Sequence, residues 1–222
     1  IFIFSDYLSH GVKAIALALE ENGFQRMSYK KGKIYVDNSL TNSETDKFCT
    51  KNKKFKSKCN TNELKTFNQA KYIKLDGSIQ KVELNQLVKE SRGEGIGLID
   101  NSNGHHIKVI LGSSVTEQGL SFKCVREVHL LDPWFHLNQS VQSEGRAIRN
   151  ESHLLLPKNK RNVTVFLHIS SKPIDYSGPD YELIDERTYR KAYNKRIHMS
   201  KVQRLLKKNA IDCKLNIYNN IL

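Results

Sequence analysis

Long apolar runs are missing from this sequence. No window approaches the ~18 to 20 uncharged apolar residues that a membrane-spanning helix needs, and the opening Ile1-Phe2-Ile3-Phe4 is too short for the apolar stretch of a secretory signal. Membrane-embedded and secreted classes are therefore not expected. Cysteine is scarce and scattered, with only Cys49, Cys59, Cys124 and Cys213. Without a secretory segment, that usage predicts reduced thiols in an intracellular compartment, and the sequons at Asn138, Asn150 and Asn162 then read as chance matches. Acidic residues are also in short supply: 23 Asp and Glu stand against 36 Lys and Arg, a net charge of +13. Such a surface favours polyanions, whether nucleic acid or an anionic membrane face. What is present suffices for a fold, since 38% of the 222 residues are hydrophobic, enough to exclude wholesale disorder. That length fits one large domain, or one domain with an appendage. The first residue is not Met and opens inside an apolar run, so the chain is expected to be a piece of a longer polypeptide.

Periodicity organises the rest. Residues 1–5 read as a buried strand, and 12–19 as an Ala-rich helix closed by Gly23. Between 30 and 69 the apolar rhythm vanishes among lysines and polar residues, which predicts a partly mobile surface insertion. A short strand at 70–75, a turn at Gly77 and a helix at 82–88 follow. Aliphatic runs at 107–111, 125–131 and 163–169 suit central parallel strands, with a helix at 137–148 between the last two. Strands alternating with helices predict an α/β fold with a parallel sheet. After Pro173 and Pro179, Tyr189, Tyr193, Ile197, Val202, Leu205 and Leu206 recur at helical spacing among basic residues. They predict a helical C-terminal appendage docked through an apolar stripe.

The densest local signal is Gln142-Ser143-Glu144-Gly145-Arg146-Ala147-Ile148-Arg149. Arginines three apart share a helical face, and two adjacent guanidiniums are unfavourable unless an anion lies against them; their planar forks suit phosphate oxygens. An isolated pair of this spacing is usually a solvated helix end. Here it follows residues 111–122, where Gly112, Ser113, Ser114, Gly119 and Ser121 come just after a strand. Small residues at that place permit close backbone approach to phosphate. Two weaker signals are set aside. A zinc site from Cys49, Cys59, His105 and His106 has too wide a cysteine spacing and adjacent histidines that would point apart, so no metal is expected. Gly93, Gly95 and Gly97 lack the strand and helix that a dinucleotide loop requires.

Those two segments resemble motifs V and VI of superfamily 2 helicases, and residues 1–7 with their following helix resemble motif IV, in the same order. The run from Gly112 through Asp132-Pro133-Trp134, Gly145 to Asn150, Leu156-Pro157 and Arg161 to Val165 is similar to helicase-type NTPases of large DNA viruses. These include relatives of the poxvirus early transcription factor small subunit and its termination-associated triphosphatase. The resemblance covers about 1–29 and 70–216, leaving the insertion outside. It implies the second, C-terminal RecA-like lobe of a nucleic-acid-dependent ATPase, spanning 1–178, with a helical extension over 179–222. Arg146 and Arg149 would then be arginine fingers for ATP and Mg2+ held mainly by the N-terminal RecA-like lobe of the same polypeptide. Gln142, Gly145, Gly119 and Ser121 would lie near the nucleotide, while Ser5, Ser113 and Ser114 would contact the phosphates of DNA or RNA without sequence preference. Relatives usually carry aspartate where this chain has Ser121, which weakens the implied link between motifs V and VI. No phosphate-loop pattern occurs here, so the chain alone is not expected to hydrolyse ATP; Asp185-Glu186 reads as an acidic helix start. Other implied properties are a place in viral transcription or genome handling, in the virion and host cytoplasm, with viral transcription machinery as a partner. The rival class is a noncatalytic nucleic-acid-binding or assembly module that retains these motifs.

Overall fold

The computed structural model describes residues 1–31, 33–36, 40, 45–77, 79–95, 99–114, 120–173, 175–179 and 181–210. Among them run β1 (Phe2–Phe4), a π-type turn (Leu8–Val12), α1 (Lys13–Glu21), β2 (Gln25–Lys30), β3 (Lys33–Val36), α2 (Thr61–Lys65), β4 (Lys71–Leu75), α3 (Lys81–Ser91), β5 (Val109–Gly112), β6 (Glu127–Leu130), α4 (Leu137–Ala147), β7 (Thr164–Leu167) and α5 (Ile184–Lys208). The strands form one sheet in the order β3-β2-β4-β5-β1-β6-β7, parallel at every pairing but β2 with β3. This is a RecA-like α/β sheet with flanking helices. No described helix is long and apolar enough to cross a membrane.

Alternation along the strands decides which face each side chain takes. Phe2 and Phe4, with Ile73, Leu75, Ile110, Val128 and Leu130, form one core with Leu84, Leu87 and Val88 of α3 and Ala147 of α4. Ile3 points the other way, where Tyr72, Val109 and Leu111 pack on Val12, Ile15, Ala16 and Leu19. Both faces are covered, and β5 is buried at all four positions. The register aligns Phe4 with Gly112 and Leu130, and Gly112 with Leu75, so four strand ends form a common carboxyl edge.

Contacts divide the chain into two compact units: Ile1–Asp132 with Gln142–His168, and Pro133–Val141 with Ile169–Leu222. The first holds the sheet. The second includes α5, whose start is the expected acidic turn: Asp185 accepts from the Ser170 amide at 2.8 Å and Glu186 from the Leu183 amide at 3.2 Å.

Two expectations are corrected. Residues 30–69 are no mere surface insertion, because they contribute the edge strand β3, the helix α2 and a fully buried Cys49. Phe48 stacks on Phe24 and meets Phe55 edge-on, and its backbone bridges Gly23 and Ala70. Three anchors spread among lysines leave no periodic trace, so pattern reading misses them. The second correction concerns the apolar residues of the helical appendage, which the expected stripe would bury: Tyr193, Ile197, Val202, Leu205 and Leu206 are 39–67% exposed, and in α5 only Ala192 is buried.

Loop closure before β5 depends on Asn101, which the sequence does not mark. Its amide donates to Ser91 O at 2.9 Å and Ile107 O at 3.0 Å, and its carbonyl accepts from the His106 and Ile107 amides at 3.0 and 2.9 Å. Every hydrogen-bonding position of a buried amide is thus used. Asn101→Ala strands several buried partners, each costing ~1 to 3 kcal/mol; the expected loss is about 3 kcal/mol by urea denaturation. A loss below ~1 kcal/mol would mean that water replaces the side chain.

Candidate functional site

α4 faces the core through Ser143 and Ala147, both essentially inaccessible. Gly145 therefore lies on the side opposite them, with exposed Gln142 and half-buried Arg146 on one flank. The helix ends at Ala147, so Arg149 lies in the following turn instead of on the helical face that the spacing predicts. Its guanidinium nevertheless folds back: Nε donates to Gly145 O at 3.1 Å and Nη1 donates to Ser121 Oγ. Arg146 Nη1 donates to Leu120 O at 3.3 Å, and Arg146 O accepts from the Phe122 amide at 2.9 Å. The strand-to-strand segment 120–126, returning from β5 to the start of β6, is thereby laced to the end of α4. Phe122 anchors it, 1% exposed and with its ring centroid 4.9 Å from that of Phe2.

A third arginine joins them that sequence reasoning missed. Arg92, just past α3, donates through Nε to Ser121 O at 2.7 Å. The glycine that follows it has φ +73, the usual sign of a helix end, but nothing local marks the arginine. The three differ in charge balance. Arg92 Nη1 lies 3.6 Å from Glu94 Oε2, and Glu94 is held ionised, its carboxyl below the ordinary value chiefly through the hydrogen bond from Lys123. Arg149 is exposed and bonds only neutral oxygens, with no carboxylate partner among the described residues. A Cβ built on Gly145 meets nothing within 4 Å. The fold itself therefore has no use for glycine in this helix interior, where it costs ~1 kcal/mol relative to alanine.

The serines form a separate group at the sheet's carboxyl edge. Ser5 is 1% exposed, bonded to the backbone of Tyr7 and packed where Gly11 leaves room for its hydroxyl. Ser113 is also 1% exposed, its hydroxyl 3.4 Å from Leu75 O. Ser114 alone of the three is exposed. Asp132 ties this edge together by accepting from the Asp6 amide at 2.9 Å. Gly119 lies outside the described residues, as do Gly97, Cys213 and the segment 211–216 that entered the resemblance. The structure thus brings together Arg146, Arg149, Gly145 and Ser121, and gathers Ser5, Ser113 and Ser114 elsewhere. Gln142 lies one turn before Arg146, exposed.

Comparison with known proteins now decides the family. A model of the helicase conserved C-terminal domain matches residues 31–151, more than half of the chain. The chain belongs to this helicase C-terminal domain family. The match runs through 30–69, the stretch set aside as an insertion, and its domain model stops short of β1. Among individual relatives, a protein named as an early transcription factor large subunit homolog of African swine fever virus is 29% identical over 147 residues, 66% of this chain and 13% of that protein. A protein of Acanthamoeba polyphaga mimivirus named for an ATP-dependent RNA helicase is 38% identical over 124 residues, 54% of this chain and 21% of that one. A helicase-named protein of Invertebrate iridescent virus 3 is 33% identical over 124 residues, 55% of this chain and 12% of its own length. The chain therefore spans between about an eighth and a fifth of the relatives it matches, and this helicase C-terminal domain is similar to segments of proteins from large DNA viruses.

Ser121 reaches Arg149 with its hydroxyl and Arg92 with its carbonyl. The acceptor facing Arg149 is neutral, so the contact holds the guanidinium's direction without cancelling its charge.

Proposed function

We propose that this domain, residues 1–178 with a helical extension over 179–222, is the second lobe of a nucleic-acid-dependent ATPase. In this reading, Arg146 and Arg149 complete the site for the terminal phosphate of ATP bound with Mg2+ by the first lobe of the same polypeptide. One observation carries it: an exposed guanidinium held in place by neutral oxygens alone, beside a glycine whose missing side chain leaves open space. These residues fit a phosphate. A guanidinium already balanced by a carboxylate, as Arg92 is by Glu94, would have to break an ion pair first.

Arg149 gives up Ser121 Oγ and Gly145 O and turns its fork to phosphoryl oxygens. Charge-assisted bonds are roughly twice as strong as neutral ones, so the exchange favours the anion. Charge that develops during phosphoryl transfer meets donors already placed, which lowers the barrier without reorganisation. Arg146, steadied through Leu120 O, supplies the second guanidinium, and exposed Gln142 orients the nucleotide from the same side of α4. The resemblance assigns Gly119 a place near the nucleotide as well. At the carboxyl edge, Ser114 offers its hydroxyl to a nucleic-acid backbone phosphate, while Ser5 and Ser113 hold the loops that present it. Contacts of this type favour affinity over sequence choice. The transcription-factor name of the African swine fever virus relative supports a role in viral transcription with the viral transcription machinery as partner, and the resemblance to viral NTPases supports the virion and host cytoplasm as the place of that role.

Gly145→Ala in the full-length protein tests the close approach. Thermal unfolding should stay level or rise, by up to ~1 kcal/mol, while stimulated ATPase activity falls. A wild-type rate would mean that nothing comes near that face during turnover.

A further inference from the structure

We infer that one side of α5 is a polyanion-binding ridge that takes the phosphate backbone of the nucleic acid on which the motor works. This rests on the proposed nucleic-acid dependence and adds a surface to it. Between residues 187 and 208 there are nine Lys and Arg and no Asp or Glu. At about 100° per residue, Arg187, Arg190, Lys191, Asn194, His198, Lys201 and Lys208 fall within a single arc of about 100°, interrupted only by Leu205. All seven are exposed. The ridge is ~32 Å long at 1.5 Å per residue, close to nine steps of a nucleic-acid strand at ~3.4 Å.

Electrostatics decides the kind of occupant. Arg190 is bound to Glu182, with Nε and Nη2 at 2.6 and 2.7 Å from its two oxygens. Arg187 and Lys191 make no salt bridge but lie within Coulombic reach of the same Glu182, whose single charge Arg190 already engages, and Lys201 and Lys208 have no carboxylate partner among the described residues. Arg187 and Lys191 sit four apart on one face, as do Arg204 and Lys208, so the bare helix repels itself. A polyanion removes that repulsion and releases its own counterions. A membrane surface would instead require one continuous apolar face. Here Tyr193 and Val202, both exposed, are nine residues apart, about 2.5 turns, and so lie on opposite sides.

Two quadruple variants of the full-length protein test the ridge. Arg187→Gln, Lys191→Gln, Lys201→Gln and Lys208→Gln remove four cations from it; Lys195→Gln, Arg196→Gln, Arg204→Gln and Lys207→Gln remove four from other sides. Glutamine keeps helix propensity, and circular dichroism checks that the helix remains. Binding to a 30-base-pair DNA and to a 30-nucleotide RNA is measured against salt. The ridge variant should flatten the log–log slope by about 3.6 with DNA, four contacts at ~0.9 each, and the other variant by less than 1, with unstimulated ATPase unaltered in both. Equal flattening by both variants would overturn the ridge, as would an unchanged slope, or lost binding to phosphatidylserine vesicles with nucleic-acid binding intact. Failure of the wild-type protein to bind either polynucleotide would sink the proposed function itself and leave a different signature from a faulty ridge.

Discussion

Arg149→Ala in the full-length protein is expected to lower nucleic-acid-stimulated ATP hydrolysis about 10³-fold or more, the usual worth of an arginine finger, with Arg146→Ala close behind. Stability should barely respond, because the Arg149 side chain is exposed and its two bonds go to neutral oxygens. The deficit should fall on kcat, since the guanidinium meets charge that grows toward the transition state. Arg149→Lys should recover only part of the loss, for an ammonium keeps the charge but not the fork. Arg92→Ala makes the contrast: its guanidinium is balanced by Glu94, so its removal should disturb the Ser121 segment and leave more of the rate. Hydrolysis at wild-type speed without Arg149 would exclude the finger and leave the noncatalytic binding module as the better reading.

Phe122→Ala should produce the largest loss of stability, about 3 to 5 kcal/mol for a fully buried aromatic. The ring fills the core beside Phe2, and the same residue's amide bonds Arg146 O. One truncation thus opens a cavity and slackens the segment that holds both arginines, so ATPase activity should fall at temperatures where the variant is still folded. Phe122→Leu should cost less in both measurements. Full activity in a folded Phe122→Ala protein would uncouple the core from the arginine group.

β1 and β5 were legible as short continuous apolar runs, β4, β6 and the largely exposed β7 from apolar residues interspersed with polar ones, and α1, α3 and α4 because their apolar residues recur with the helical period. β2 and β3 were not. Gln25-Arg26-Met27-Ser28-Tyr29-Lys30 has the composition of a wet edge, and only pairing to β4 makes it a strand. The stripe expected on α5 failed for the opposite reason: helical spacing within each group of apolar residues shows neither that all of them share a side, as Tyr193 and Val202 do not, nor that anything covers them. In the candidate site, the four residues around Arg146 were marked by type and spacing. Ser121 was marked too, but not its contact with Arg149, and Arg92 was not marked at all, since the two lie 28 and 57 positions before Arg149.

Periodicity, charge balance and the Q-x-x-G-R-x-x-R spacing are properties of neighbouring residues, so the amino-acid order by itself determined the α/β class, the basic surface and the arginines at the end of α4. Packing alone decided that Ser5 and Ser113 are inside, that Arg149 leans on a neutral hydroxyl, and that Arg92 is spent on Glu94 while Arg149 is not. Those outcomes depend on which distant segments the sheet brings side by side, and no local pattern encodes the distance between them.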